Sequence, residues 1–200
     1  GPGQVTIDGG QGICQKDGAY GYGNKPYRLC NQGITYSCGL KEQLAKITAS
    51  SKGIDFTDGD FLDLEKSGNF LYAAVSGKGV AVFDVSDLKF PILKDFIAIN
   101  GARSLTMRNN LIAVAAGQSG IFLLEKKSPS DLELLTNFKT GVLSMDVEFN
   151  DGFDNELVVA AWSDGVLIYD ISAPLEPKLA GAYNTPGFTR SVKTIGKLIY

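Results

Sequence analysis

An all-β chain of repeated four-stranded antiparallel blades is predicted by three observations. A phrase returns about every 40 to 46 residues: Leu71-Tyr-Ala-Ala-Val, Leu111-Ile-Ala-Val-Ala, Leu157-Val-Val-Ala-Ala and a truncated Leu198-Ile-Tyr. A glycine, Gly79, Gly120 or Gly165, follows each complete copy after eight or nine residues. A second apolar run comes next, Val80-Ala-Val-Phe, Ile121-Phe-Leu-Leu or Val166-Leu-Ile-Tyr. Apolar run, glycine, apolar run reads as a hairpin of two buried strands. Its regular return is how stacked or radial β structure is written, and four short strands per roughly 45 residues is the size of a β-propeller blade.

The first two residues, Gly1 and Pro2, read as the scar of a tag-removing protease and carry no fold information. Residues 3–52 form a separate Gly-rich segment that holds all three cysteines, Cys14, Cys30 and Cys38. Cysteines gathered in a poorly cored segment, with none in the repeats, suggest that cross-links replace a core there. The simplest count is one disulfide and one thiol left over. Cys30 with Cys38, Cys14 with Cys30 and Cys14 with Cys38 all remain open. A zinc site is disfavoured, because the chain has no CxxC and no histidine. Leu40, Leu44 and Ile47 share one helical face, which predicts a short helix near 40–48.

Residues 53–200 read as a partial propeller with blades over about 53–99, 100–139 and 140–185 and the start of another at 186–200. Asp60-Phe-Leu-Asp-Leu-Glu-Lys is expected to be the inner strand of the first. Five residues after each marker glycine stands a carboxylate, Asp84, Glu125 or Asp170. In Asp84-Val-Ser and Asp170-Ile-Ser it can accept backbone N–H groups just ahead and close a turn. Pro91 and Pro177 then open runs suited to an outer edge strand, where proline is tolerated. The middle copy has Leu132 instead. Arg103-Ser-Leu-Thr-Met, Leu143-Ser-Met-Asp-Val and Arg190-Ser-Val-Lys-Thr supply a fourth strand per copy, with Ser104, Ser144 and Ser191 expected in register.

Apolar run, Gly, apolar run, Asp-Val/Ile-Ser, Pro and a Gly-rich lead-in together resemble the LVIVD-type repeat over roughly residues 68 to 200. Phe188-Thr-Arg-Ser-Val is similar to that family's lead-in, with Ser191 where the family commonly has Asp. The resemblance implies a β-propeller in a bacterial or archaeal exported or surface protein, hence a secreted, periplasmic or cell-surface location. Three blades and a fragment do not close a ring. Further blades of the same chain or a second chain are therefore expected partners.

A net charge of −3 with dispersed Lys and Arg argues against nucleic acid. No apolar stretch approaches the length of a membrane span. Without histidine the commonest general base is missing, and no Ser or Cys stands in a nucleophile signature, so the chain leans away from an enzyme. No cofactor is expected. Asp58-Gly-Asp60-Phe-Leu-Asp63 is a loose match to a Ca²⁺ loop and reads more readily as a solvated turn. Asn150-Asp-Gly-Phe-Asp-Asn-Glu156 reads as a polar turn that lengthens the middle repeat.

Strand alternation sorts Arg103 and Arg190 to one end of the blades with Lys78, Gln118, Trp162 and Asp164. The two arginines are candidates either for structural salt bridges to a neighbouring blade or for ligand binding. Trp162 either packs between blades or serves as an exposed anchor. Arg103, Arg190, Trp162 and Asp164 are the candidate ligand residues, and Asp58, Asp60 and Asp63 the candidate metal ligands. The resulting expectation is a non-enzymatic binding or adhesion module that docks a protein or glycan through a loop face. The alternatives are an enzyme or electron-transfer subunit with a carboxylate or metal site in the funnel, and a structural subunit of a surface appendage or layer.

Overall fold

The computed structural model describes residues 59–200 and four short strands nearer the N-terminus. The chain divides into two compact units, Gly1–Lys46 and Ile47–Tyr200. In the first unit β1 (Gly3–Ile7) pairs antiparallel with β2 (Gly10–Cys14), and β3 (Tyr20–Tyr22) with β4 (Lys25–Tyr27). The predicted helix near 40–48 and the cysteines Cys30 and Cys38 lie outside the described residues, as does Asp58.

The second unit is a succession of antiparallel meanders. The first sheet holds β5 (Phe61–Ser67), β6 (Phe70–Val75), β7 (Gly79–Asp84) and β8 (Ile92–Ala98). The second holds β9 (Ser104–Arg108), β10 (Leu111–Ala115), β11 (Ile121–Ser128) and β12 (Asp131–Phe138). The third holds β13 (Asp146–Phe149), β14 (Glu156–Ala160), β15 (Val166–Asp170) and β16 (Lys178–Tyr183). A two-stranded sheet, β17 (Thr194–Ile195) with β18 (Leu198–Ile199), follows. The all-β prediction holds, and no helix occurs among the described residues.

The middle strands are apolar throughout because they are buried on both faces. In β6, Tyr72 and Ala74 join a cluster with Leu105, Ile112 and Val114 of the second sheet, while Ala73 and Val75 join Ala81 and Phe83 on the opposite face. Ala113, Ala115 and Leu123 of the second sheet likewise pack with Leu157, Val159 and Tyr169 of the third. Val158 and Ala160 continue the series against Val192. Each fully buried Leu, Ile or Val contributes about 1.5–3 kcal/mol. Sheet-on-sheet burial therefore holds the array together.

The marker glycines have a steric cause. A Cβ on Gly120 would lie 2.2 Å from the Phe138 carbonyl oxygen, and one on Gly165 2.2 Å from that of Tyr183, with φ of 87° and 73°. Glycine alone allows the outer strand to approach so closely in that backbone conformation. The outer strands share a further device. The pairing shifts between Val82 and Phe83, between Leu123 and Leu124 and between Ile168 and Tyr169, so a bulge recurs at one place in each sheet.

The runs beginning at Arg103 and Leu143 lead into β9 and β13, the innermost strands of the second and third sheets, so a copy counted from Leu71 straddles two sheets. One expectation requires correction: Ser144 is not the counterpart of Ser104. Ser104 pairs with Ala115 and Asp146 with Ala160, whereas Ser144 lies two residues earlier and bridges Gly117. A longer lead-in accounts for one of those two residues: Ile97 to Ser104 is seven steps, and the equivalent Phe138 to Asp146 is eight.

Candidate functional site

Innermost strands β5, β9 and β13 and the run after Arg190 wall an axial cavity of about 340 Å³. Carboxylates and hydroxyls alternate along it, as Asp63, Ser104, Asp146 and Ser191. They stitch successive sheets. Leu105 N donates to Asp63 Oδ2 at 2.8 Å, and Val192 N to Asp146 Oδ2 at 3.0 Å. The hydroxyls of Ser104 and Ser191 donate to the two oxygens of the same Asp146. A carboxylate that accepts an amide from the next sheet satisfies a donor at the axial margin, where no further strand pairs with it. Further out, Leu132 N donates to Asp95 Oδ2 at 2.7 Å, fixing β12 to β8.

One step deeper along the axis, Lys193 pairs with Glu148, and that bond holds the lysine above its ordinary pKa. Glu65 lies nearby with its carboxyl pushed up, first by burial and then by the charges of Asp63 and Glu148. At the mouth stand Arg103 and Arg190, both exposed and both lining this cavity. Neither forms a salt bridge with a carboxylate among the described residues.

Arg190 instead meets Trp162, its guanidinium carbon 5.2 Å from the ring centroid. Phe188 stacks on the same indole, with centroids 4.5 Å apart and planes 15° from parallel. Trp162 is half-buried, while Phe188 is 64% exposed, so the aromatic pair presents a face to solvent. The backbone is arranged for this. Trp162 has φ 41°, at the position where the sister turn has Gly117 with φ 54°. A bulky residue in the left-handed region costs about 1–3 kcal/mol, which the surroundings must offset. A bridge does so, with Thr189 N donating to Trp162 O at 2.9 Å.

Beside the indole opens a second cavity of about 570 Å³, lined by Gln118, Lys139, Val142, Leu143, Trp162 and Ser163. Lys139 Nζ donates to Gln118 O at 2.9 Å across its rim. The structure thus brings Arg103, Arg190 and Trp162 to one loop end. Asp164 stands in the same turn but lines neither cavity, and accepts from Ser163 Oγ at 3.0 Å. Among the candidate metal ligands, both oxygens of Asp63 already accept backbone amides, from Leu64 and Leu105. Among the described residues, which include Asp60 and Asp63 but not Asp58, no group of three acidic or Cys side chains is arranged to hold a metal.

Sequence reasoning missed Phe188 and Lys139 as site residues. The signal for Phe188 was its spacing: two positions before Arg190 in an extended run, it emerges on the same side. It also missed Arg108, whose guanidinium donates to the carbonyls of Asn150, Phe153 and Asp154 and thereby organises the acidic turn at 150–156. That turn is structural, with Asn150 2% exposed and its amide donating to Glu156.

Comparison with known proteins agrees with this architecture. The model of the LVIVD-repeat family matches residues 58–97 and 153–185. No curated protein matches the sequence. Among solved structures the chain is similar to the computationally designed Ika4 protein, with TM-score 0.56 and 13% identity, over 78% of this chain and 90% of that one. It is similar to the designed Ika8 protein, with TM-score 0.55 and 13% identity, over 98% of this chain and 53% of the other. It is also similar to a chain of the COPII outer coat vertex on membranes, with TM-score 0.55 and 14% identity, over 76% of this chain and 47% of that one. It thus spans about half the length of the last two. At such identities the likeness is one of fold, and that fold is β-propeller-like. No helix among the described residues is long and apolar enough to cross a membrane. Repeat and architecture agree: the chain matches the LVIVD-repeat model at residues 58–97 and 153–185 and folds as the four-stranded blades of a β-propeller-like array.

Proposed function

We propose that this chain is a non-enzymatic binding module of an exported or surface-displayed propeller, which recognises a protein or glycan through the loop end that carries Trp162. One observation carries the reading. An indole is held in a backbone conformation that disfavours it, stacked on an exposed phenyl ring and contacted by a guanidinium without a carboxylate partner among the described residues. Strain of this kind concentrates at functional positions, and Trp and Arg dominate binding energetics.

Wild-type protein and the variants Trp162→Gly, Phe188→Ala and Arg190→Gln, probed in parallel on arrays of glycans and peptides, test it. The signals seen with wild type should fall at least about tenfold in each variant while the thermal midpoint holds, which corresponds to about 1.4 kcal/mol. Equal signals from all four proteins would remove this site. Export has its own readout, because non-reducing mass spectrometry of Cys14, Cys30 and Cys38 should find a disulfide. Three free thiols in air-purified protein would count against it.

A further inference from the structure

The two ends of the blades differ in charge. Loops that enter the innermost strands or join the second strand to the third carry Lys78, Arg103, Lys139 and Arg190, against Asp60 just before β5 and Asp164. At the other end, the loops that join first to second and third to fourth strands carry Asp87, Asp151, Asp154 and Glu176, against Lys89 and Lys197. Among the described residues, most loop cations of this chain of net charge −3 thus stand at the Trp162 end. An end where exposed cations outnumber carboxylates attracts anions.

Size and shape narrow the anion. The cavity beside Trp162, about 570 Å³, lies in the range of small-ligand sites and is far from the broad flat area of a protein interface. Its wall combines apolar Val142 and Leu143 with polar Gln118, Ser163 and Lys139. At its edge the exposed Phe188, stacked on the indole, offers an aromatic face. A sugar ring offers what such a wall accepts: a C–H face to lie on an aromatic ring, and hydroxyls that donate and accept at the rim. A carboxylate on that sugar would meet Arg190 and Lys139.

We propose that the Trp162 end binds an acidic saccharide, with its ring on the exposed face of Phe188, which stacks on Trp162, and its carboxylate between Arg190 and Lys139. This rests on the binding-module reading above and names its ligand class. Trp162 is the sole tryptophan, so selectively excited emission reports from the site itself.

The experiment titrates the intact protein with an oligomer of a uronic acid, with the neutral oligomer of the parent sugar, and with an oligoglutamate peptide. Emission is followed for wild type, and calorimetric heat for Trp162→Gly and Arg190→Gln. The uronate should change the emission and bind at least about tenfold tighter than the neutral sugar or the peptide. Arg190→Gln should erase that preference, and added salt should weaken binding of the uronate. Equal affinity for neutral and acidic oligomers, tighter binding of the peptide, or no response to any saccharide overturns the ligand class. If the neutral sugar or the peptide binds and Trp162→Gly abolishes it, the binding face stands without the acidic saccharide. If a ligand binds equally to wild type and both variants, the face itself is wrong.

Discussion

The two loop ends of the array are built from the same repeat and spend their polar side chains differently. At the acidic end the polar groups are consumed within the fold. Asp84 accepts from the amide and hydroxyl of Ser86, Asp170 from the amide of Ser172, and Arg108 is spent on three carbonyls of the 150–156 turn. At the other end Arg103 and Arg190 have no such use, and Trp162 occupies a position where its sister copy has glycine. Positions that recur in a repeat mostly serve the repeat. Trp162 departs from the repeat, whereas Arg103 and Arg190 recur in it, each directly before a serine.

The contrast is sharpest within a single turn. Gly165→Ala should be the most damaging change, costing about 3 kcal/mol, because its Cβ would collide with the Tyr183 carbonyl and its φ of 73° disfavours a side chain. Urea unfolding should register this as a lowered midpoint with unchanged slope. An unshifted midpoint would mean that the close approach of the outer strand is not needed.

Arg108→Ala tests the acidic end, where three carbonyls would lose their donor. A loss of about 1–3 kcal/mol is expected, with faster amide exchange across residues 150–156 as the local readout. Trp162→Gly should do the opposite of Gly165→Ala three residues away. Stability should hold or rise by up to about 1 kcal/mol as the left-handed backbone relaxes, while binding is lost. A destabilised Trp162→Gly protein would make the indole a packing element instead.

The smallest effect concerns pH. Hydrogen bonds from Ser86 and Ser172 hold Asp84 and Asp170 below the ordinary carboxylate pKa. A group depressed in the folded state adds stability above its unfolded pKa and loses it as pH falls through the folded value. Asp84→Asn with Asp170→Asn should therefore flatten the loss of stability below about pH 4 and change little in its slope above. An unaltered acid limb in thermal melts would show that the turns do not need the charge.

Strands, marker glycines and turn carboxylates were legible because each is a local matter, settled within a hairpin. The Asp84 and Asp170 turns close as their phrases indicated, and Pro91 and Pro177 stand directly before β8 and β16. What could not be read were contacts between sheets. Asp63 reaches Leu105, Asp95 reaches Leu132 and Asp146 reaches Val192, each across a whole repeat, and nothing in the neighbouring residues distinguishes such an aspartate from a solvated one. Ser144 misled because the register position of Ser104 is filled in the third sheet by Asp146, two residues on. Arg103, Arg190 and Trp162 could be sorted to one end by alternation alone, but the stacking of Phe188 on Trp162 depends on the Thr189 bridge, which only the folded chain forms.

The bond from the Leu132 amide to Asp95 has a consequence at the outer rim. Peripheral strands invite intruders, because any donor they leave idle can begin a ladder with a foreign polypeptide. By capping that donor with a carboxylate from the adjoining blade, the chain blocks one foothold for lateral growth where its first two blades meet.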